Sequence, residues 1–144
     1  MEFNGADSVF VLVCTALVML MTPALALFYG GMVRKKNVVS TTMHSYVTIA
    51  LVSIQWILIG YTLVFGNDIG GIIGDLKYAL LNGVGFEPNA DYAATIPHQG
   101  FMLFQMMFAI ITPALISGSF AERMRFPAVI LFVLAWTTLV YDPI

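Results

Sequence analysis

Hydrophobic positions in this chain gather into four long runs instead of alternating with polar ones. The runs cover residues 9–29, 47–65, 101–120 and 126–141, and charged residues are nearly absent inside them. The hydrocarbon core of a bilayer is about 30 Å thick, and about 20 helical residues cross it. The pattern therefore predicts four membrane helices, the last only marginally long enough. We place them at about residues 8–31, 40–65, 100–121 and 126–141.

The composition supports a multi-pass protein of the cell membrane. Hydrophobic residues make up 60% of the chain and charged residues 10%, with a mean hydropathy of +0.90. An ordinary soluble domain has about 25% charged residues. A soluble helix bundle would also need a polar face on each helix, whereas residues 9–32 carry no charge. The chain has no basic cluster extensive enough to bind nucleic acid.

The placement of charges predicts the orientation in the membrane. Residues 34–36 between the first two helices are all basic, as are Arg123 and Arg125 between the last two. The connection at residues 66–99 carries four acidic residues against the single base Lys77. Because basic loops stay in the cytoplasm, we expect the amino terminus and the loop 66–99 to lie outside.

The predicted outer loop 66–99 contains six glycines and two prolines. Within it, residues 75–81 favour a short helix that starts at Asp75. A structureless loop of this length is unusual in a compact domain. We therefore expect it to form a partly packed cover over the outer end of the helices.

Polar residues recur along single faces of the predicted helices. In the second helix they are Thr41, Ser45, Thr48, Gln55 and Thr62, and in the third Gln105, Thr112 and Ser119. Polar side chains in membrane helices avoid lipid and line pathways. The alternative, which stays open, is that they hydrogen-bond between helices, at about 0.6 kcal/mol each. The small residues Ala114, Gly118 and Ala121 are interpreted as positions of close helix packing.

Catalytic and metal-binding patterns are absent from the sequence. No HExxH, CxxC, Walker or nucleophile-elbow motif occurs, so we predict no enzyme activity, no catalytic residue, no metal site and no cofactor. Cys14 is interpreted as a small apolar residue within a helix. The two histidines, His44 and His98, lie on opposite sides of the predicted membrane, and each is expected to be solvated or interfacial.

The outer part of the third helix carries the candidate substrate pathway. Phe104 and Phe108 flank Gln105, and Phe108 shares the polar face with Thr112. An aromatic ring can hold a cation with about 0.5–2 kcal/mol. We predict that Phe108, Gln105, Phe104 and Thr112 line a pathway in which the Phe108 ring acts as a gate.

Several segments strongly resemble the Amt/Mep/Rh family of ammonium transporters, and the Amt branch most. They are ALFYGGMVRKKNV at residues 26–38, QMMFAIIT at residues 105–112 and AERMRF at residues 121–126. The resemblance implies a fold of eleven helices with an outer amino terminus, two inverted halves around a pore, and a homotrimer. The predicted fold class is therefore an all-α membrane protein whose four transmembrane helices resemble the first part of that fold.

The resemblance also assigns individual residues. By motif, Phe108 matches the outer gate phenylalanine and Gln105 the glutamine that precedes it. The family's recruitment tryptophan, its structural aspartate and its pore histidines have no match in this chain, and neither Trp56 nor Trp136 nor the two histidines takes their place. We therefore expect residues 1–144 to be the amino-terminal portion of an ammonium transporter domain.

The implied function is transport of ammonium or ammonia through a hydrophobic pore, after recruitment and deprotonation of ammonium at the outer face. Burying a charge in such a pore costs several kcal/mol, which favours loss of the proton. The alternative is an Amt-like sensor domain coupled to a signalling module, and a self-contained accessory protein is a third class. Expected partners are ammonium or ammonia, the lipid bilayer, two further copies in the trimer, and a PII-type regulator on the cytoplasmic face.

Overall fold

The computed structural model describes residues 3–144 and consists mainly of helices. The helices are α1 (Gly5–Met32), α2 (Val38–Gln55), α3 (Tyr61–Phe65), α4 (His98–Phe120) and α5 (Phe126–Trp136). A π-helical turn, Trp56–Gly60, joins α2 to α3, and a second, Thr137–Tyr141, extends α5. Three helical segments have the length and hydropathy to cross a membrane, and Phe126–Tyr141 is shorter but also apolar. Each of the four runs in the sequence therefore forms one helical segment.

Local signals at the ends explain where two of the helices start. The side-chain oxygen of Asn4 accepts a hydrogen bond from the Ala6 amide at 2.9 Å, which caps α1. The amide of Asn4 donates to the Thr95 carbonyl at 2.9 Å, so the start of α1 is tied to the loop before α4. Pro127 lies in the first turn of α5, where its missing N–H costs no helical hydrogen bond.

The helices pack around the pair formed by α2 and α4. Helix α1 contacts both of them, and α5 contacts α2. Bulky side chains from α2, α3, α4 and α5 fill the buried core, which includes Val52, Trp56, Tyr61, Met106, Ile110 and Val133. The outer surface of α1 remains apolar, as expected for a helix that faces lipid or another hydrophobic surface.

The polar face that runs along α2 and continues into α3 is directed inward. Thr41, Ser45, Thr48, Gln55 and Thr62 are each at most 6% exposed. The Thr48 hydroxyl donates to the His44 carbonyl of its own helix at 2.8 Å. The Thr62 hydroxyl instead donates to the Asp75 carbonyl at 2.6 Å and accepts from the Tyr78 amide at 2.9 Å. Thr62 therefore holds the long loop rather than lining a pathway.

The long loop, residues 66–97, folds into two small antiparallel sheets. Strand β1 (Asp68–Ile69) pairs with β2 (Ile73–Gly74), and β3 (Pro88–Asn89) pairs with β4 (Ala93–Pro97). Strand β4 contacts α1 and α4, and β2 contacts α3, so the loop packs on the helices through strands rather than through a helix.

The expectation of a short helix at residues 75–81 is wrong. Only a 3₁₀ turn, Ala79–Leu81, forms there, and Leu80 and Leu81 have positive φ angles of 55° and 57°. The Asp75 carboxylate accepts from the Lys77 amide at 2.9 Å and from the Asn67 side chain at 2.7 Å. These bonds close a turn back onto the end of α3, in place of a helical cap.

The expectation for the two histidines is also wrong, because both are 3% exposed. His98 is the first residue of α4, and its Nε2 lies 2.5 Å from the Tyr61 hydroxyl. His44 lies between aromatic rings, with its ring stacked on Phe126 at 5.9 Å between centroids. Aromatic neighbours from other elements exclude water from both imidazoles.

Candidate substrate pathway

Helix α4 positions all four predicted pathway residues within about two and a half turns. The rings of Phe104 and Phe108 meet edge to face, with 5.1 Å between centroids. The Thr112 hydroxyl donates to the Phe108 carbonyl at 2.7 Å. Phe108 is 38% exposed, in contrast to its buried neighbours Met106 and Met107. The Phe108 ring therefore lies on an open face of the bundle.

Gln105 and Thr112 line a cavity of about 390 Å³. Its other lining residues are mostly aromatic or aliphatic: Trp56, Val64, Phe65, Trp136, Val140, Tyr141 and Ile144. Phe104 and Phe108 are not among them. The structure thus brings two of the predicted pathway residues together in one cavity and places the two phenylalanines on a neighbouring surface of the same helix.

The two π-helical turns build the aromatic wall of this cavity. Trp56 opens the turn after α2, and Tyr141 closes the turn after α5. Their ring centroids are 6.5 Å apart, and Trp136 lies 6.3 Å from Tyr141. A π-helical turn inserts an extra residue and often occurs at functional sites. The cavity therefore combines an aromatic wall with the polar side chains of Gln105 and Thr112.

Sequence reasoning missed Trp56, Trp136 and Tyr141 as cavity residues. Trp56 follows directly after Gln55 on the polar face of α2, and Trp136 and Tyr141 lie at the end of the fourth run. One signal could have identified these three residues. On two helices, aromatic residues lie close in sequence to polar residues of a membrane segment. The π-helical turns that set their direction have no visible sequence pattern.

A buried carboxylate beside the cavity has no signal in the sequence. Asp142 directly follows the last spanning segment and is 3% exposed. Its Oδ2 accepts a hydrogen bond from Gln55 Nε2 at 2.6 Å, and the same amide nitrogen lies 3.3 Å from the Thr138 hydroxyl. Burial raises the pKa of Asp142 to about 6, although the bond from Gln55 opposes the shift.

The Asp75 carboxyl in the long loop behaves differently from Asp142. The backbone amide of Lys77 and the Asn67 side chain hold the pKa of the exposed Asp75 carboxyl below its usual value. Lys77 lies over the Tyr78 ring, 5.0 Å from the centroid. The Asp75 carboxyl and the Lys77 ammonium therefore lie near each other at this end of the bundle, and the ammonium occupies the face of the Tyr78 ring.

Glu122 organises the opposite end of the bundle. Its carboxylate accepts hydrogen bonds from the Asn37 side chain at 2.8 Å and from the Arg34 amide at 3.0 Å. These bonds, aided by nearby Arg34 and Lys36 charges, lower the pKa of Glu122. The connections 33–37 and 121–125, which hold most of the basic residues, are thereby joined into one basic surface.

Comparisons with known proteins give a consistent result. The family model described as Ammonium Transporter Family matches residues 9–144. The chain is 61% identical over 140 residues to a Bacillus subtilis protein named ammonium transporter, covering 96% of this chain and 34% of that protein.

Solved structures of similar fold agree with the sequence match. The crystal structure of Candida albicans Mep2 superposes with a TM-score of 0.85 at 32% identity, over 99% of this chain and 31% of that one. A structure titled Sensor Amt Protein gives a TM-score of 0.84 at 25% identity, over 95% of this chain and 32% of that one. These matches confirm the predicted fold class, and the chain spans about a third of the length of the proteins it matches.

Proposed function

Because the chain belongs to the ammonium transporter family, we propose that it contributes about a third of a protein that moves ammonium or ammonia across the cell membrane. The family match over residues 9–144 carries this proposal. The cavity supports it, because polar groups of Gln105 and Thr112 lie among aromatic rings within an apolar bundle. This arrangement suits a small polar solute that is stripped of most of its water.

Phe108, Gln105, Phe104 and Thr112 form the entry of the pathway in this proposal. Ammonium approaches from the acidic end of the bundle, meets the ring faces of Phe104 and Phe108, and passes toward an apolar interior that favours neutral ammonia. The 38% exposure of Phe108 in the described chain supports its role, because the ring is free to face a pore completed by further helices.

The proposal also includes the orientation of the protein in the membrane and its assembly. The amino terminus lies outside, since Asn4 is bonded to Thr95 of the acidic long loop and the basic surface lies at the other end. The complete protein forms a homotrimer, and the basic cytoplasmic surface around Glu122 takes a PII-type regulator.

Transport is tested by complementation. The complete protein is expressed in cells that lack their own ammonium transporters, and growth on low ammonium and uptake of labelled methylammonium are measured. We expect growth and saturable uptake that ammonium inhibits. Correctly inserted protein that supports neither growth nor uptake would contradict the proposal.

An ammonium sensor is the second candidate, supported by the superposition on the structure titled Sensor Amt Protein. In this case ammonium binding alters an attached signalling module, and transport is not required. Binding of ammonium by the purified complete protein, without uptake in the complementation assay, would favour the sensor over the transporter.

A further inference from the structure

Two acceptor oxygens remain without partners on either side of a single buried hydrogen bond. Gln55 Nε2 donates to Asp142 Oδ2 at 2.6 Å, whereas Gln55 Oε1 and Asp142 Oδ1 have no hydrogen-bond partner within residues 3–144. The two side chains are 6% and 3% exposed, and both free oxygens are shielded from solvent. Leaving buried acceptors unpaired costs free energy, so the arrangement calls for an additional donor.

The surroundings supply no positive charge for an ionised Asp142. Among the described residues, burial and the Gln55 bond are the causes of its pKa shift, and no cation contributes. Asp142 lines a cleft of about 250 Å³ between α3, the long loop and residues 142–144. The titratable groups around it are Tyr141, which precedes it in the chain, and Asp68, which lines the same cleft. Neither is a cation, and a buried, uncompensated carboxylate is strongly disfavoured.

One proton on Asp142 Oδ1 would supply a donor for the free oxygen of Gln55. A carboxylic acid and a primary amide form two parallel hydrogen bonds, in which the amide N–H donates to one carboxyl oxygen and the acid O–H donates to the amide oxygen. Protonation on Oδ1 would let Asp142 donate to Gln55 Oε1 while Oδ2 keeps its bond from Nε2. The acid also loses its charge, which removes the main cost of its burial.

We propose that Asp142 and Gln55 form a buried proton-binding site, in which the protonated acid pairs with the amide and joins the end of α5 to α2. The position gives the site a role in the pathway. Trp56 follows Gln55 and Tyr141 precedes Asp142, and both aromatic residues line the cavity. Proton binding therefore fixes the aromatic wall, and loss of the proton loosens it. The inference does not depend on which solute the cavity carries.

The substitution Asp142→Asn tests this proposal in the complete protein. Asparagine has the shape of the neutral acid and can form the same two hydrogen bonds with Gln55 at every pH. Asp68→Asn is the control, because it removes a negative charge from the same cleft but from an exposed residue. Thermal stability is measured for the three proteins from pH 4 to pH 8.

The sign of the expected effect follows from the raised pKa. The native state binds the proton more tightly than the unfolded chain, so the contribution of Asp142 to stability is complete below pH 3.8 and is lost as the pH rises through about 6. We expect Asp142→Asn to raise the melting temperature above that of the wild type at pH 8, and to remove the inflection near pH 6. Asp68→Asn should keep that inflection.

Infrared spectroscopy provides a second readout. We expect a carbonyl band of a protonated carboxylic acid that titrates near pH 6 and is missing in Asp142→Asn. A melting temperature of Asp142→Asn below that of the wild type at pH 8, or an unchanged inflection, would overturn the proposal. It would also be overturned if sodium or ammonium ions stabilised the wild type but not Asp142→Asn at pH 8, because the occupant would then be a cation.

Discussion

Phe108 and Thr112 share one face of α4 but have different surroundings. Thr112 lines the cavity and bonds to its own helix, whereas the Phe108 ring is 38% exposed beside Phe104. A large ring left open on a bundle has two explanations, contact with lipid or contact with a pathway. In the proposed pathway, the Phe108 ring and its edge-to-face partner Phe104 line the entry.

Replacing Phe108 with alanine distinguishes these explanations. In the complete protein we expect Phe108→Ala to reduce selective ammonium uptake or to let other cations through, because the ring no longer orders and desolvates the ion. Insertion and assembly should be unaffected. Uptake is measured per amount of folded trimer, with potassium as the competing ion.

Phe132→Ala is the matched control for that experiment. The Phe132 ring packs on Phe120 at 5.5 Å between centroids and lies on α5, away from the cavity. Its loss should cost packing, about 3–5 kcal/mol at most, and leave uptake per folded trimer unchanged. Normal uptake and selectivity in Phe108→Ala would identify Phe108 as an ordinary lipid-facing or core residue.

Individual buried polar residues were the least predictable features of the chain. His98 is buried against Tyr61, which lies 37 residues earlier in the chain. The pairing could not be predicted, because it depends on the path of the long loop between them. Asp142 has no local pattern that predicts burial, since its partner Gln55 is 87 residues away. Sequence periodicity predicts which face of a helix a residue occupies, but not which side chain from another helix meets it.

At the scale of elements, the contact between α1 and α4 depends on a residue without a side chain. A Cβ atom at Gly118 would lie 2.7 Å from Tyr29 Cζ, and the Tyr29 hydroxyl donates to the Leu115 carbonyl at 2.8 Å. The interpretation of Gly118 as a close-packing position therefore has a definite partner on α1.

The substitution Gly118→Ala should separate α1 from α4. We expect a loss of about 1–3 kcal/mol, because the added methyl group displaces the Tyr29 ring and its hydrogen bond. Gly31→Ala is the control, since nothing lies within 4 Å of its added Cβ, and it should be neutral or stabilising by up to about 1 kcal/mol. Thermal unfolding in detergent measures both, and equal melting temperatures would contradict the predicted contact.

The long loop is joined to α3 through a close approach of two backbone segments. A Cβ atom at Gly74 would collide with the Thr62 carbonyl oxygen and would lie 2.8 Å from that of Leu63. We expect Gly74→Ala to detach the β1–β2 sheet and to expose the loop to protease, because backbone atoms cannot move aside as a flexible side chain can. Gly85→Ala, whose nearest neighbour is 4.0 Å away, should leave the cleavage rate unchanged. Similar protection of both variants would show that this junction does not hold the loop.

The helices were predictable and the loop was not, for a physical reason. About 20 apolar residues without charge have few alternatives to a membrane helix, since the bilayer requires every backbone group to be paired within the segment. Residues 75–81 carry no such constraint, and the Asp75 carboxylate found partners in Asn67 and Lys77 in place of a helix. The π-helical turns also lay outside prediction, because no sequence pattern marks them.

At the scale of the whole molecule, charge separates the two ends of the bundle. Hydrogen bonds of Glu122 join the two basic connections at one end. The bond from the Asn4 amide to the Thr95 carbonyl joins the start of α1 to the acidic long loop at the other end. Five of the six basic residues lie in the two basic connections. The positive-inside rule therefore predicts one orientation for the entire bundle, with the long loop outside.

Cysteine labelling on intact cells tests this orientation in the complete protein. The lone cysteine of this segment, Cys14, is first replaced by alanine, and Asp91→Cys and Lys36→Cys are then made separately. Both positions are exposed, so reactivity with a membrane-impermeant maleimide reports the side of the membrane rather than burial. We expect Asp91→Cys to be labelled on intact cells and Lys36→Cys only after permeabilisation. The opposite result would place the long loop in the cytoplasm, and ammonium could then not reach Phe104 and Phe108 from outside through the acidic end.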